Sequence, residues 1–228
     1  MKNIIKIVLI PFTLVLLNAC SLSLDEVQRD AAYYTFNNQD TAFIINYKYV
    51  QDQIITYINE EGETLRFKVL ENETKKRTYR SRGTFSGGDG LLENYYDCKI
   101  IRFEIIENPS SEQYAMVNYI FSKNKNILTN GLNLPMWNVP VYSYIDEHQN
   151  CVNIFLKEYT TVPTSSLTIN GHLFNKVITI NSNSDQNNTN NLFGPLTQNI
   201  NQLKYDYDFG IIQFKDIDGR LWSVVYPE

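Results

Sequence analysis

Short alternations of apolar and polar residues recur along most of this chain, and that two-residue period constrains its fold more than any other feature. Residues 64–70 read TLRFKVL, which puts Leu65, Phe67 and Val69 on one face of an extended segment and Arg66 and Lys68 on the other. Comparable runs predict strands at 42–50, 53–58, 96–106, 114–121, 139–145, 151–158, 172–180, 210–215 and 221–226. Turn chemistry separates several of them: Glu60-Glu61-Gly62-Glu63, residues 146–150, Asn170-Gly171 and, most strongly, Asp218-Gly219. With 24 Ile and 16 Tyr favouring strands and 27 Asn favouring turns, a helical bundle is excluded. The expectation is one all-β domain over 41–228, mainly antiparallel, as a curved sheet or open barrel, with a two-sheet β-sandwich as the alternative. Residues 122–138 and the Asn-rich 181–202 are expected to be long loops.

The first twenty residues, MKNIIKIVLIPFTLVLLNAC, follow a different logic. Lys2 and Lys6 precede an apolar run over 7–17, eleven residues long, which suits a signal segment and is too short to span a bilayer. Leu17-Asn18-Ala19-Cys20 then resembles the lipobox of bacterial lipoproteins. That resemblance implies cleavage after residue 19, a lipidated Cys20, and a tether over 20–40. Two or three acyl chains would anchor such a protein durably, where one would not. Ser21 resembles the pattern sent to the outer membrane. The Asn/Ile/Lys/Tyr-rich composition resembles lipoproteins of the Bacteroidota, in which acidic residues near the cysteine direct surface display. Asp25-Glu26 matches that signal only in part, so the periplasmic and cell-surface faces both stay open. Two later segments, Asn170-Gly171-His172-Leu173-Phe174-Asn175-Lys176-Val177 and YDYDFGIIQF at 205–214 with Trp222, also resemble the endings of such lipoproteins. This implies a shared sheet scaffold and no assigned active site.

Removing 19 residues, Lys2 and Lys6 among them, leaves 209 residues with 18 Lys and Arg against 25 Asp and Glu, a net side-chain charge of −7. That balance excludes general nucleic-acid binding. Cys98 and Cys151 form an even pair in an exported chain and are the candidate disulfide. In TKKRTYRSRG, Lys75, Lys76, Arg77, Arg80 and Arg82 place five positive charges within eight residues, a candidate site for phosphate or carboxylate groups of lipid or glycan. Trp137, in an expected loop between Pro135 and Pro140, is the candidate platform for a stacked ligand ring. Asp40-Thr41-Ala42 resembles the short O-glycosylation signal of exported Bacteroidota proteins, which makes Thr41 the candidate modified residue. His148 and His172 are far apart, and the spacing of Asp206, Asp208, Asp216 and Asp218 fits turns better than a calcium loop, so no metal or cofactor is expected.

These readings lead to three expectations of role. The first is a non-catalytic, lipid-anchored envelope protein that binds or assembles with a glycan, a lipid or another envelope protein. The second is a carrier enclosing a lipid or other apolar ligand in its curved sheet. The third is an enzyme acting on glycans through paired carboxylates.

Overall fold

The computed structural model describes residues 31–81, 91–138, 144–145, 151–182 and 198–227. Among the described residues there are thirteen strands: β1 (Ala32–Tyr34), β2 (Ile54–Ile58), β3 (Thr64–Arg80), β4 (Leu92–Ile105), β5 (Val117–Asn124), β6 (Ile127–Asn133), β7 (Tyr144–Ile145), β8 (Cys151–Val152), β9 (Ser165–Ile169), β10 (His172–Asn181), β11 (Ile200–Asp206), β12 (Gly210–Asp216) and β13 (Leu221–Val225). Among the described residues the only helical pieces are three 3-10 turns. Eleven strands form one antiparallel sheet in the order β6-β5-β4-β3-β2-β13-β12-β11-β10-β9, with β1 against β4; β7 and β8 pair separately. The strands therefore share a sheet and do not split into a sandwich. Two meanders, β2 to β6 and β9 to β13, meet where β13 pairs with β2 through Ser223–Ile58, Val224–Tyr57 and Val225–Thr56.

The chain divides into two compact units. The smaller takes Met1–Tyr33 and Thr78–Tyr95, and there the Ser81 N–H donates to the Leu91 carbonyl at 2.9 Å across the β3–β4 hairpin. The larger takes Tyr34–Arg77 and Tyr96–Glu228 and holds the main core. In it the sheet folds over so that β5 meets β11 and β12. The Tyr119 hydroxyl accepts the Ile211 N–H at 3.0 Å, and the Tyr57 hydroxyl donates to the Ile211 carbonyl at 2.9 Å. Gly210, at φ +106°, makes this approach possible, since a Cβ there would lie 2.8 Å from the Tyr119 hydroxyl. Phe67, Phe121, Phe214, Trp222, Tyr205 and Ile45 fill the space between, each 2% exposed or less. Burying each such side chain contributes about 1.5–3 kcal/mol.

The sheet does not close into a barrel, since β6 and β9 are its ends. The chain leaving β6 nevertheless reaches the far meander. Trp137 bridges Ile200 in parallel, with the Asn138 N–H donating to the Ile200 carbonyl at 2.6 Å and the Ile200 N–H to the Met136 carbonyl at 2.7 Å. Among the described residues several buried polar atoms find no partner inside, including the Tyr205 hydroxyl and both amide atoms of Asn130, on the core face between Leu128 and Leu132. Each such group costs about 1–3 kcal/mol relative to a paired one.

Several sequence expectations need correcting. Residues 42–50 are not a strand; a 3-10 turn (Asp40–Phe43) leads into an extended strap outside the sheet. Segment 122–138 is not a loop, because it completes β5 and forms β6 after a two-residue turn at Lys125 and Asn126. Residues 151–158 give only the two residues of β8 before a 3-10 turn (Leu156–Tyr159). Strands β9 and β11 were not expected, and β11 takes the end of the Asn-rich stretch. The rest of that stretch, 183–197, lies outside the described residues, as do the expected strand at 139–143 and turn at 146–150.

Candidate functional site

Strand alternation puts Lys75 and Arg77 on one face of β3 and Lys76 on the other. Lys75 is matched by Glu73 and, at 3.4 Å, by Glu71, and the hydrogen bond it donates to Glu73 raises its pKa. Glu71 is also held at 3.0 Å by Arg102. Arg80 belongs to the smaller unit and Arg82 lies outside the described residues.

Trp137 is in the core, 6% exposed, and its backbone is tied to Leu134 and Ile200. It offers no open ring for a ligand. Trp222 is equally internal: its ring stacks on Phe214 at 5.8 Å and its Nε1–H donates to Asp216 at 3.4 Å. Thr41 is exposed on its 3-10 turn, with its hydroxyl donating to the Asn38 carbonyl at 2.9 Å.

The expected pairing of Cys98 with Cys151 is not seen, and Cys98 is a buried thiol. The reason lies in strand order. Cys98 stands opposite Ser122 of β5, whereas the chain around Cys151 runs beside β6, on the far side of β5, where Ile154 bridges Leu132. The side chain of Cys151 lies outside the described residues.

The aspartates near the C-terminus serve turns. Asp206 accepts the N–H groups of Lys176, Asp208 and Phe209 at 2.9–3.0 Å, which fixes the β11–β12 turn. Asp216 accepts from Arg220 at both backbone (2.9 Å) and Nε (2.7 Å) and so closes the β12–β13 hairpin. Asp208 pairs with Lys176 at 2.7 Å. Among the described residues no group of three His, Cys, Asp or Glu side chains could hold a metal ion, and no helix is long and apolar enough to cross a membrane.

A set of partly and fully buried polar contacts in the larger unit lies under the strap, residues 35–49. The Phe36 N–H donates to Asp97 at 2.9 Å. Asp40, 6% exposed, forms a buried ion pair with Lys123, 5% exposed, through Nζ–Oδ2 and Nζ–Oδ1 distances of 2.8 and 2.9 Å. Lys99 donates to the Ile45 carbonyl at 2.6 Å, and burial lowers the pKa of its amine. Farther on, the Asn46 and Tyr47 N–H groups bind the Asp208 carbonyl, and the Tyr49 hydroxyl donates to the Phe209 carbonyl at 2.5 Å. Lys99 sits opposite Phe121, and Lys123 lies two residues farther along β5 on the same face, so their Cα atoms are roughly 7–8 Å apart. None of Asp40, Lys99 or Lys123 stands out in the sequence. The pair is separated by 83 positions, and only the folded strap unites them.

No known protein family, curated protein or solved structure matches the chain.

Proposed function

We propose that this chain is a lipid-anchored, non-catalytic protein of the bacterial envelope, acting as a binding or assembly component at the outer membrane. The observation that carries this reading is the lipobox Leu17-Asn18-Ala19-Cys20 directly after the apolar run at 7–17, with Ser21 following the cysteine. The exposed Thr41 is the proposed site of an O-linked glycan on the mature protein.

Carriage of a lipid or other apolar ligand is the second reading. It is favoured by the strap, which covers an aromatic sheet face with a segment that is not itself a strand.

Density-gradient separation of the two membranes tests the location. The protein is expected to band with the outer membrane, and banding with the inner membrane would contradict the assignment. Protease treatment of intact cells then separates the two faces: digestion places the domain outside, and protection until lysis places it in the periplasm.

A further inference from the structure

The strap has the chemical layout of a bound ligand. Its acidic end, Asp40, is held by Lys123 on β5. Five residues on, Ile45 is fully buried, its carbonyl is held by Lys99, and its Cδ1 reaches the neighbourhood of Gly210 and the Tyr119 hydroxyl. Tyr49 packs edge-on to Phe103 with ring centroids 5.0 Å apart, and Phe43 packs edge-on to Tyr207 at 5.2 Å. From Lys123 to Tyr119 the face beneath runs roughly 13 Å along β5, cationic at one end and aromatic at the other. The strap makes no ladder with this face. Its backbone hydrogen bonds to the sheet region include the Lys99 and Asp97 contacts, those at Asp208, and the Tyr49 carbonyl, which accepts from Asn72 Nδ2 at 2.9 Å. Lifting it away would take the Asp40 carboxylate from Lys123 and the Ile45 carbonyl from Lys99, leaving two ammonium groups on this face.

We propose that the sheet face of β4 and β5 beneath residues 35–49 is a binding site for an anionic amphiphile, whose carboxylate or phosphate head meets Lys123 and Lys99 and whose apolar chain lies against Phe103 and Tyr119, and that the strap closes this site with Asp40 and Ile45 as internal mimics of head and chain. The proposal rests on the carrier reading, and it does not depend on lipidation of Cys20. Binding is an exchange of partners: Asp40 leaves Lys123 as the ligand anion arrives, so the Lys123 ammonium keeps an anionic partner throughout. An uncharged chain gains no such exchange and is discriminated against.

The test uses the full chain carrying Cys20→Ser, so that no covalent acyl chain competes, with oleate as the probe and methyl oleate as the uncharged control. Hydrogen exchange is followed at residues 35–49. Oleate is expected to raise exchange there at least tenfold while the strands of β11 to β13 keep their protection, and methyl oleate to leave it unchanged. Asp40→Asn is expected to bind oleate at least tenfold more tightly than the parent, and Lys123→Met at least tenfold more weakly. Unchanged exchange in the strap at saturating oleate would overturn the proposal without any variant being made. So would equal responses to oleate and methyl oleate. A failed anchor would show in membrane fractionation and leave these results untouched.

Discussion

Replacing Lys123 with methionine lowers folding stability by about 3–5 kcal/mol, and replacing Asp40 with leucine does the same. The two groups are 5% and 6% exposed and 2.8 Å apart, so each neutralises a charge the other could not hold alone in the interior. After Lys123→Met, the Asp40 carboxylate keeps only the Asn37 N–H at 2.8 Å among its described contacts. After Asp40→Leu, the Lys123 ammonium is left with the Asn126 carbonyl at 3.4 Å. The double variant Asp40→Leu/Lys123→Met removes both charges and is expected to recover most of the loss, because a packed apolar pair costs little where an orphaned ion costs much. Urea denaturation of the four proteins closes the cycle. Single variants within 1 kcal/mol of the parent would show that the pair is hydrated and that the strap is not seated as described.

Alkaline unfolding should be unusually steep. Tyr49, Tyr57, Tyr119 and Tyr205 are each 6% exposed or less, and burial pushes all four hydroxyls above their ordinary pKa of 10.0. Tyr207 is pushed up to about 12, also by burial. Below pH 10 these groups are protonated in both folded and unfolded chains, so their contribution is fully present. Above pH 10 the unfolded chain releases protons that the folded one retains, and stability falls as pH rises through the folded values. Each tyrosine removes about 1.4 kcal/mol per pH unit, so four remove about 5 kcal/mol per unit. A domain with a typical stability of about 5–15 kcal/mol would then unfold within a few pH units above 10. The tyrosinate absorbance and the loss of sheet circular dichroism are expected to rise together. Gradual ionisation of all tyrosines near pH 10 with the sheet intact would contradict the packing around Tyr119.

The C-terminal hairpin was the most legible element. Asp218-Gly219 announces the turn, Gly219 adopts φ +92°, and Asp216 closes it through Arg220. The alternation at 64–70 likewise became the start of β3, with Leu65, Phe67 and Val69 all buried. Legibility failed where tertiary packing overrode local preference. β6 reads as a loop because Asn130, Gly131 and Asn133 are poor strand formers. Yet Gly131 is required there, since a Cβ would lie 2.5 Å from a Val152 methyl carbon. The run AFIINYKYV reads as a strand because it is apolar, but Ile44 and Ile45 are both buried, which a half-exposed strand does not require. Trp137 looked exposed because its prolines suggest a loop, and the bridge to Ile200 that internalises it spans 63 positions. The ion pair under the strap left no local signal, since alternation reports only which face a residue takes and not what will cover it.

Metabolic labelling with a clickable palmitate analogue tests the proposed anchor at Cys20. The expected result is a labelled, membrane-associated protein whose mature chain begins at Cys20, and an unlabelled product when Cys20 is replaced by serine. A wild-type protein that incorporates no acyl label and remains soluble after cleavage at another position would contradict it.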